Sequence, residues 1–267
     1  MINKKIFLYG ILAVTIFSAC KKEHTIESPS QPARQVVKLY DPAAPVTGMT
    51  YTYDAKGRLI EQKNMYNDYK FAYTQDQSGN TIFSGSYSEP NNNNYIPSTF
   101  SNGKMDKAGR LLEMDGAYTP QNGPAVNYKY FFTYDGNGYL IKMIHKNLST
   151  NDVNEDDLIY SSGNLMTDIN TFNGQANYTI QYQYYDSLSN NLSPDVLQSI
   201  FAWGNDGLLG KHSKNLIKEE IETAQNIKIL DYIFNYQMDA LGFPKQYTIH
   251  DLVTNNGQIT RSLEYDK

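Results

Sequence analysis

Four histidines, one cysteine and 28 acidic side chains are the groups of this chain best suited to hold a metal or act on a substrate. The histidines, His24, His145, His212 and His250, show no metal-ligand spacing such as His-x-x-x-His, and they read as scattered strand and loop residues. Ser101-Asn102-Gly103-Lys104 matches the Ser-x-x-Lys of acyl-transfer enzymes, but that chemistry needs the pair on a helical turn beside a Lys-Thr-Gly strand, and a Gly-containing turn is expected instead. Asp152-Val153-Asn154-Glu155-Asp156 begins like a calcium loop. Its sixth position is Asp157 and its twelfth Gly163, where a Gly and a bidentate Glu are required, so the run reads as a solvated acidic hairpin loop. A carboxylate pair for glycoside hydrolysis depends on a separation of ~5 to 9.5 Å that only the fold sets. No catalytic residue, metal ligand or cofactor is assigned.

Cys20 is different, because its surroundings define its chemistry. Lys4 and Lys5 form a positive start, Ile6 to Phe17 is an apolar run, and Ser18-Ala19-Cys20 closes it with small residues, which is a secretory leader over 1–19. As a helix the run spans only about 18 Å, short of the ~30 Å hydrocarbon core, so it is not read as a permanent span. Phe17-Ser18-Ala19-Cys20 resembles the bacterial lipobox, whose cysteine becomes the lipidated first residue. With no other cysteine present, disulfides and thiol nucleophiles drop out together once Cys20 is acylated. Acyl chains at ~0.8 kcal/mol per buried methylene would fasten the protein to a membrane. Lys21 next to it lacks the aspartate that retains lipoproteins in the inner membrane of enterobacteria, and the resemblance therefore implies the outer membrane.

Cleavage there removes two lysines and no acid, so the net charge moves from −5 to −7. An acidic chain with no basic cluster beyond its amino terminus is not a nucleic-acid binder. Ser28, Pro29, Ser30, Gln31, Pro32, Pro42 and Pro45 break any periodicity, and residues 20–46 read as a hydrated tether, with Val36 to Tyr40 the one stretch of strand-like composition.

From residue 47 to 267 a degenerate repeat organises a single domain. Tyr51-Thr52-Tyr53-Asp54-Ala55-Lys56-Gly57-Arg58-Leu59 returns as Phe132-Thr133-Tyr134-Asp135-Gly136-Asn137-Gly138-Tyr139-Leu140, and weaker copies carry Gly79, Gly109, Gly163, Gly207 and Gly242. The Asp-x-x-Gly frame is a hairpin turn: the carboxylate accepts backbone N–H groups ahead of it and the glycine supplies positive φ. Aromatic residues alternate on the incoming strands, as in Tyr128, Tyr130, Phe132 and Tyr134, or Tyr178, Ile180, Tyr182 and Tyr184. A period of two implies half-buried strands. The glycines lie 22 to 44 residues apart, two strands per unit, so the expectation is an all-β antiparallel meander of ten to fourteen strands, curled into a barrel-like or half-barrel sheet. Ser193-Pro194-Asp195 breaks the pattern with a helix start, and a short helix near 193–203 would lay Leu197, Ile200 and Phe201 on the sheet.

The Tyr51 to Leu59 unit resembles the YD repeats of Rhs and teneurin-type proteins, which are β-hairpin arrays. Four features together resemble a family of Bacteroidota lipoproteins with a curled, porin-like antiparallel sheet: the lipobox, the YD-type turns, the Tyr182 to Asp186 strand leading into Ser193-Pro194, and Gly210 to Asn215 after it. The resemblance implies a fold and an envelope location and transfers no catalytic residue.

The 23 tyrosines admit two readings. They cover a partly solvated sheet with their hydroxyls wet, or they form an aromatic platform for a glycan or an apolar ligand. The function expected is a lipid-anchored binding or scaffold module for a glycan, peptide or envelope protein. A carrier of an apolar ligand in the concavity, or an envelope hydrolase, are the alternatives.

Overall fold

The computed structural model describes residues 34–89, 98–120, 123–193, 207–255 and 257–266. They form sixteen antiparallel strands in one closed barrel, each paired with its neighbours in sequence. The strands are β1 (Val36–Asp41), β2 (Ala44–Tyr53), β3 (Leu59–Lys63), β4 (Asp68–Gln75), β5 (Thr81–Ser88) and β6 (Ser98–Met105). Then come β7 (Leu111–Tyr118), β8 (Val126–Tyr134), β9 (Leu140–Asn147), β10 (Val153–Ser161) and β11 (Asn164–Phe172). The last five are β12 (Gln175–Ser189), β13 (Asn215–Ala224), β14 (Ile227–Met238), β15 (Pro244–Asp251) and β16 (Gln258–Tyr265). Pairing of Leu39 with Leu263 and Tyr40 with Ser262 joins the first strand to the last, so no edge is left exposed.

In a meander the connections alternate between the two ends of the barrel, and here the two ends differ in chemistry. Every described Asp-x-x-Gly turn lies at one end. In the turns of Asp54, Asp76, Asp106, Asp135 and Asp239, the glycine N–H donates to the aspartate carbonyl at 2.9 to 3.1 Å. The carboxylate Oδ1 accepts two further backbone N–H groups, those of Lys56 and Arg58 in the case of Asp54. Gly57 and Gly138 sit at φ of 75° and 92°, which a β-carbon disfavours. Gly163 shares a two-residue turn with Ser162, both at positive φ.

The leucine that follows four of the turns at this end helps to seal it from inside: Leu59, Leu111, Leu140 and Leu165 are all buried. The tyrosine that precedes the turn completes the seal. Tyr53, Tyr134, Tyr184, Tyr236 and Tyr265 donate their hydroxyls to the carbonyls of Val36, Leu111, Leu165, Ile217 and Pro244, in each case across the hairpin to the start of the preceding strand. These hydroxyls are latches between strands. The expectation of wet hydroxyls on a solvated sheet fails because closure turns the aromatic face inward, where a phenol must find a protein acceptor.

Four further expectations are corrected. There are sixteen strands, not ten to fourteen, because hairpins at the other end lack the Asp-x-x-Gly frame and turn at residues such as Asn151, Asn173-Gly174 and Gln225-Asn226. Residues 36–46, read as the end of the tether, are β1 and the start of β2. Ser101 to Lys104 is part of β6, bulged at Asn102 (φ 53°), and Gly103 lies where a β-carbon would come within 2.8 Å of Phe83. The acidic run after Asp152 is β10, whose Glu155 and Asp157 point outward while Asp156 is buried. Of the expected helix, Ser193 makes a parallel bridge to Gln35, and residues 194–206, including Leu197, Ile200 and Phe201, lie outside the described residues.

Gly57→Val and Gly138→Val should each lower stability by ~1 to 2 kcal/mol through forced left-handed geometry. Gly136→Ala, in the same turn as Gly138 but at ordinary φ with no atom within 4 Å of the added carbon, should leave the denaturation midpoint within ~0.5 kcal/mol of wild type.

Candidate binding wall inside the barrel

Strand alternation assigns every side chain to the inside or the outside. On β8, Tyr128, Tyr130, Phe132 and Tyr134 face in, while Asn127, Lys129, Phe131 and Thr133 face out. The outer face is polar and interlocked. Lys104 pairs with Glu113 at 2.7 Å, Lys129 reaches Asp115 at 2.9 Å and Glu113 at 3.5 Å, and Lys142 joins Glu155 and Asp157. Phe131 and Ile159 are exposed apolar side chains on the same face. The inner face is the reverse: Val36, Phe83, Leu111, Met114, Leu140, Leu158 and Leu165 belong to one buried cluster bordered by tyrosines.

The described parts of the connection between β12 and β13, residues 190–193 and 207–214, lie against the Asp-turn end and are held by a motif used three times. Val36 N–H and Tyr53 hydroxyl converge on Ser193 O at 2.8 and 3.3 Å. Leu111 N–H and Tyr134 hydroxyl do the same to Leu208 O, and Leu165 N–H and Tyr184 hydroxyl to Ser213 Oγ. Each site joins the free N–H that begins a strand to the latch tyrosine of its partner strand. Leu192, Leu208, Leu209 and Ser213 are buried by it. A cleft of about 600 Å³ beside this connection is lined by Arg110, Lys211 and His212, and Arg110 is already tied to Asp106 at 2.6 Å.

Toward the other end the inner wall carries two kinds of surface. On β4 to β9 it is aromatic. Tyr69 and Tyr87 lie with ring centres 4.5 Å apart, Tyr130 stacks on His145 at 4.6 Å and 2°, and Phe100 meets Tyr130 edge-on. Gly116 makes this possible, since a β-carbon there would sit 2.8 Å from the Tyr130 ring. Burial lowers the His145 pKa and favours a neutral imidazole.

On β10 to β13 the inner wall is acidic. Asp156 is opposite Asn170 and accepts its amide, Asp168 is opposite Ile180, Glu222 flanks Ile180 from the far side, and Glu220 lies between Tyr182 and Tyr232. Burial, then the negative charges of Asp156, Glu220 and Glu222, push Asp168 up to about 7. Burial and Glu222 push Glu220 up to about 7 as well. The fold thus brings together carboxylates that no spacing in the sequence marks. Their signal is an acid on the inward phase of an otherwise aliphatic and aromatic face, as Asp156 is with Leu158 and Tyr160.

Of the residues singled out by sequence, His145 and His250 lie on β9 and β15 and His212 in the β12–β13 connection, far apart in the strand order. Among the described residues no group of His, Cys, Asp or Glu side chains forms a metal site. The glycines Gly57, Gly79, Gly109, Gly138, Gly163, Gly207 and Gly242 all have positive φ. Cys20 and His24 lie outside the described residues.

Two sets of carboxylates give opposite pH dependence. Asp76 and Asp239 are held low, chiefly by the hydrogen bond of Asn80 to the first and of the Phe243 N–H to the second, and their contribution to stability fades as pH falls through the acid range. Asp168 and Glu220 are raised, so theirs is full below the unfolded-state values near 4 and is lost as pH rises through about 7. Thermal stability should therefore peak between about pH 4 and 6 and decline toward pH 8. Asp168→Asn, which keeps the shape and removes the charge, should raise the melting temperature at pH 8 by about 3 °C or more and change it little at pH 4.5. Equal effects at both values would contradict the assignment.

No family model and no curated protein matches this chain. Solved structures do. A porin-like protein from Bacteroides vulgatus superposes with a TM-score of 0.59 at 14% identity, covering 87% of this chain and 99% of that one. A porin-like protein from Bacteroides uniformis gives a TM-score of 0.51 at 12% identity, covering 82% of this chain and 88% of the other. At such identities the likeness is one of fold: this chain shares the architecture of the Bacteroides porin-like barrels.

Proposed function

We propose that the protein is a water-facing, lipid-anchored binding module of the outer membrane, held through Cys20, and not a pore. The distribution of side chains between the two faces of the sheet carries this reading. A barrel that crosses a bilayer with its strands shows lipid an apolar band ~25 Å tall, and a cation at the midplane costs ~2 to 4 kcal/mol. Here Lys104, Lys129 and Lys142 and their acidic partners occupy outward positions along β6 to β10. The buried apolar cluster lies on the inside. Attachment then falls to the segment ahead of β1, where the lipobox-like Phe17-Ser18-Ala19-Cys20 supplies the chemistry and the Ser- and Pro-rich stretch after it supplies reach. The irregular YD-type hairpins build the wall, and the inner aromatic and acidic surfaces provide the recognition.

Two measurements test this. Mass spectrometry of the membrane-bound protein should find a lipidated Cys20 as its first residue, and a free amino terminus elsewhere would refute the anchor. Cys20→Ala should move the protein to the soluble fraction with its barrel intact and its melting curve unchanged without detergent. A variant that stayed membrane-bound, or needed detergent to remain folded, would show that the strands themselves sit in lipid.

A further inference from the structure

The two ends of the barrel differ in a second respect. Among the described residues fifteen large apolar side chains are exposed, and eleven of them lie in, or within three residues of, the connections at the end away from the Asp turns. Six separate hairpins of that end each present at least one: Val46, Tyr66, Leu148, Phe172, Ile227 and Leu252. Val46 is 87% exposed, Ile227 65% and Tyr66 57%. The Asp-turn end shows Leu241 in a turn, with Leu112 and Ile159 on strands beside it. We propose that this apolar rim rests in the surface of a phospholipid bilayer, so that the barrel stands on the membrane by one end while its side wall stays in water. The inference goes beyond the reading above and takes from it only the wetted side wall and the position of the anchor.

Four observations favour a bilayer over a protein partner. The tips are spread around a closed ring, since the β1–β2 and β9–β10 hairpins that carry Val46 and Leu148 lie eight strands apart in the strand order. A protein would have to match each tip with a pocket, whereas a bilayer accepts scattered apolar tips as they come. The turn backbones are satisfied from within: Asn64 Oδ1 accepts the N–H groups of Tyr66 and Asn67, Asn147 Oδ1 those of Ser149 and Thr150, and Asp251 Oδ1 those of Val253 and Thr254. Such tips leave bulk water at lower cost. Just behind the rim Lys63 and Lys70 pair with Asp68, Lys228 with Asp231 and Arg261 with Asp41, so the contact it offers is apolar and not a match to a charged partner. Finally, the chain ahead of the barrel is long enough. Gln35 is fastened at the Asp-turn end, to Gly57 O and Asp266. Residues 20–33 can span roughly 46 to 50 Å when extended, and strands of eight to ten residues at a barrel's tilt rise only roughly 20 to 28 Å. An acyl anchor at Cys20 and the opposite rim can therefore share one bilayer.

The test uses the chain from residue 20 onward carrying Cys20→Ala, which has neither an acyl anchor nor another cysteine, and vesicles of phosphatidylcholine and phosphatidylethanolamine. Cosedimentation should give half-binding near ~1 mM lipid, weaker than the ~10⁴ M⁻¹ of one myristoyl chain, so the unanchored protein still leaves cell membranes on washing. Anionic lipid should not tighten it. Val46→Asn combined with Ile227→Asn should weaken binding at least about fivefold with the melting curve preserved, and Leu241→Asn should leave it unchanged. A nitrobenzoxadiazole label should brighten on adding vesicles at both Val46→Cys and Leu148→Cys, on opposite sides of the ring, and stay dark at Leu241→Cys. A folded protein that ignores vesicles at several millimolar lipid would overturn the proposal, as would binding indifferent to the double variant. A response at only one of the two rim labels would replace the rim with a one-sided contact. A dimer in vesicle-free solution that the double variant dissociates would assign the rim to a second copy of the chain. Lipidation of Cys20 and detergent-free folding are measured separately, so a soluble, folded barrel without affinity for vesicles refutes this inference and leaves the broader reading standing.

Discussion

The pairing of β1 with β16 is the contact on which the rest depends. An open sheet of fifteen or sixteen strands would have two edges of unpaired N–H and C=O groups and two solvated faces. Closing it through Leu39 opposite Leu263 removes the edges and makes one face an interior. Only then do the tyrosine hydroxyls need protein acceptors, the leucines after the turns become a seal, and carboxylates such as Asp168 become costly to ionise. Arg34 strengthens the seam by pairing with Asp239 at 3.0 Å and lying over the rings of Phe243 and Tyr265.

Much of the wall could be read from single residues. Asp-x-x-Gly is a local device whose hydrogen bonds close within five residues, so its geometry does not wait for the fold, and the alternation of Tyr128 to Tyr134 is set by the pleat. What could not be read was nonlocal or carried by weaker signals. The strand count fell short because the hairpins at the other end lack the Asp-x-x-Gly frame: they turn at Asn151, at Asn173-Gly174 and at Gln225-Asn226, at φ of 50° to 74°. β1 was hidden by Pro42 and Pro45, which sit in and beside its short turn instead of in a tether. The acidic inner wall was invisible because Asp156, Asp168, Glu220 and Glu222 come from three different strands and meet only through register. The triple clasp on Ser193, Leu208 and Ser213 was equally out of reach, since its Tyr53 and Ser193 alone lie 140 positions apart in the chain.

The likeness to porin-like barrels and the polarity of the outer face fit together once fold and environment are separated. Strand number and closure are properties of backbone pairing, while the solvent a barrel tolerates is decided by which phase of each strand is apolar. A shift of one residue in that phase exchanges lumen and exterior. This chain keeps its aromatic phase inside, where it forms a core, and carries interlocked charges on the outer face of its sixteen-strand architecture.

The seam also bears on how the molecule comes into being. Most of the barrel is built of neighbouring hairpins whose contacts are close in sequence and can form as the chain emerges, but Gln35 N–H meets the Asp266 carboxylate across a separation of 231 residues. That contact has no substitute until the last strand exists. Until then a nascent chain holds a growing, unsealed sheet with live edges, and ring closure is the step of greatest loop entropy. The span during which the chain is most open to wrong partners is thus the time between its first strand and its sixteenth.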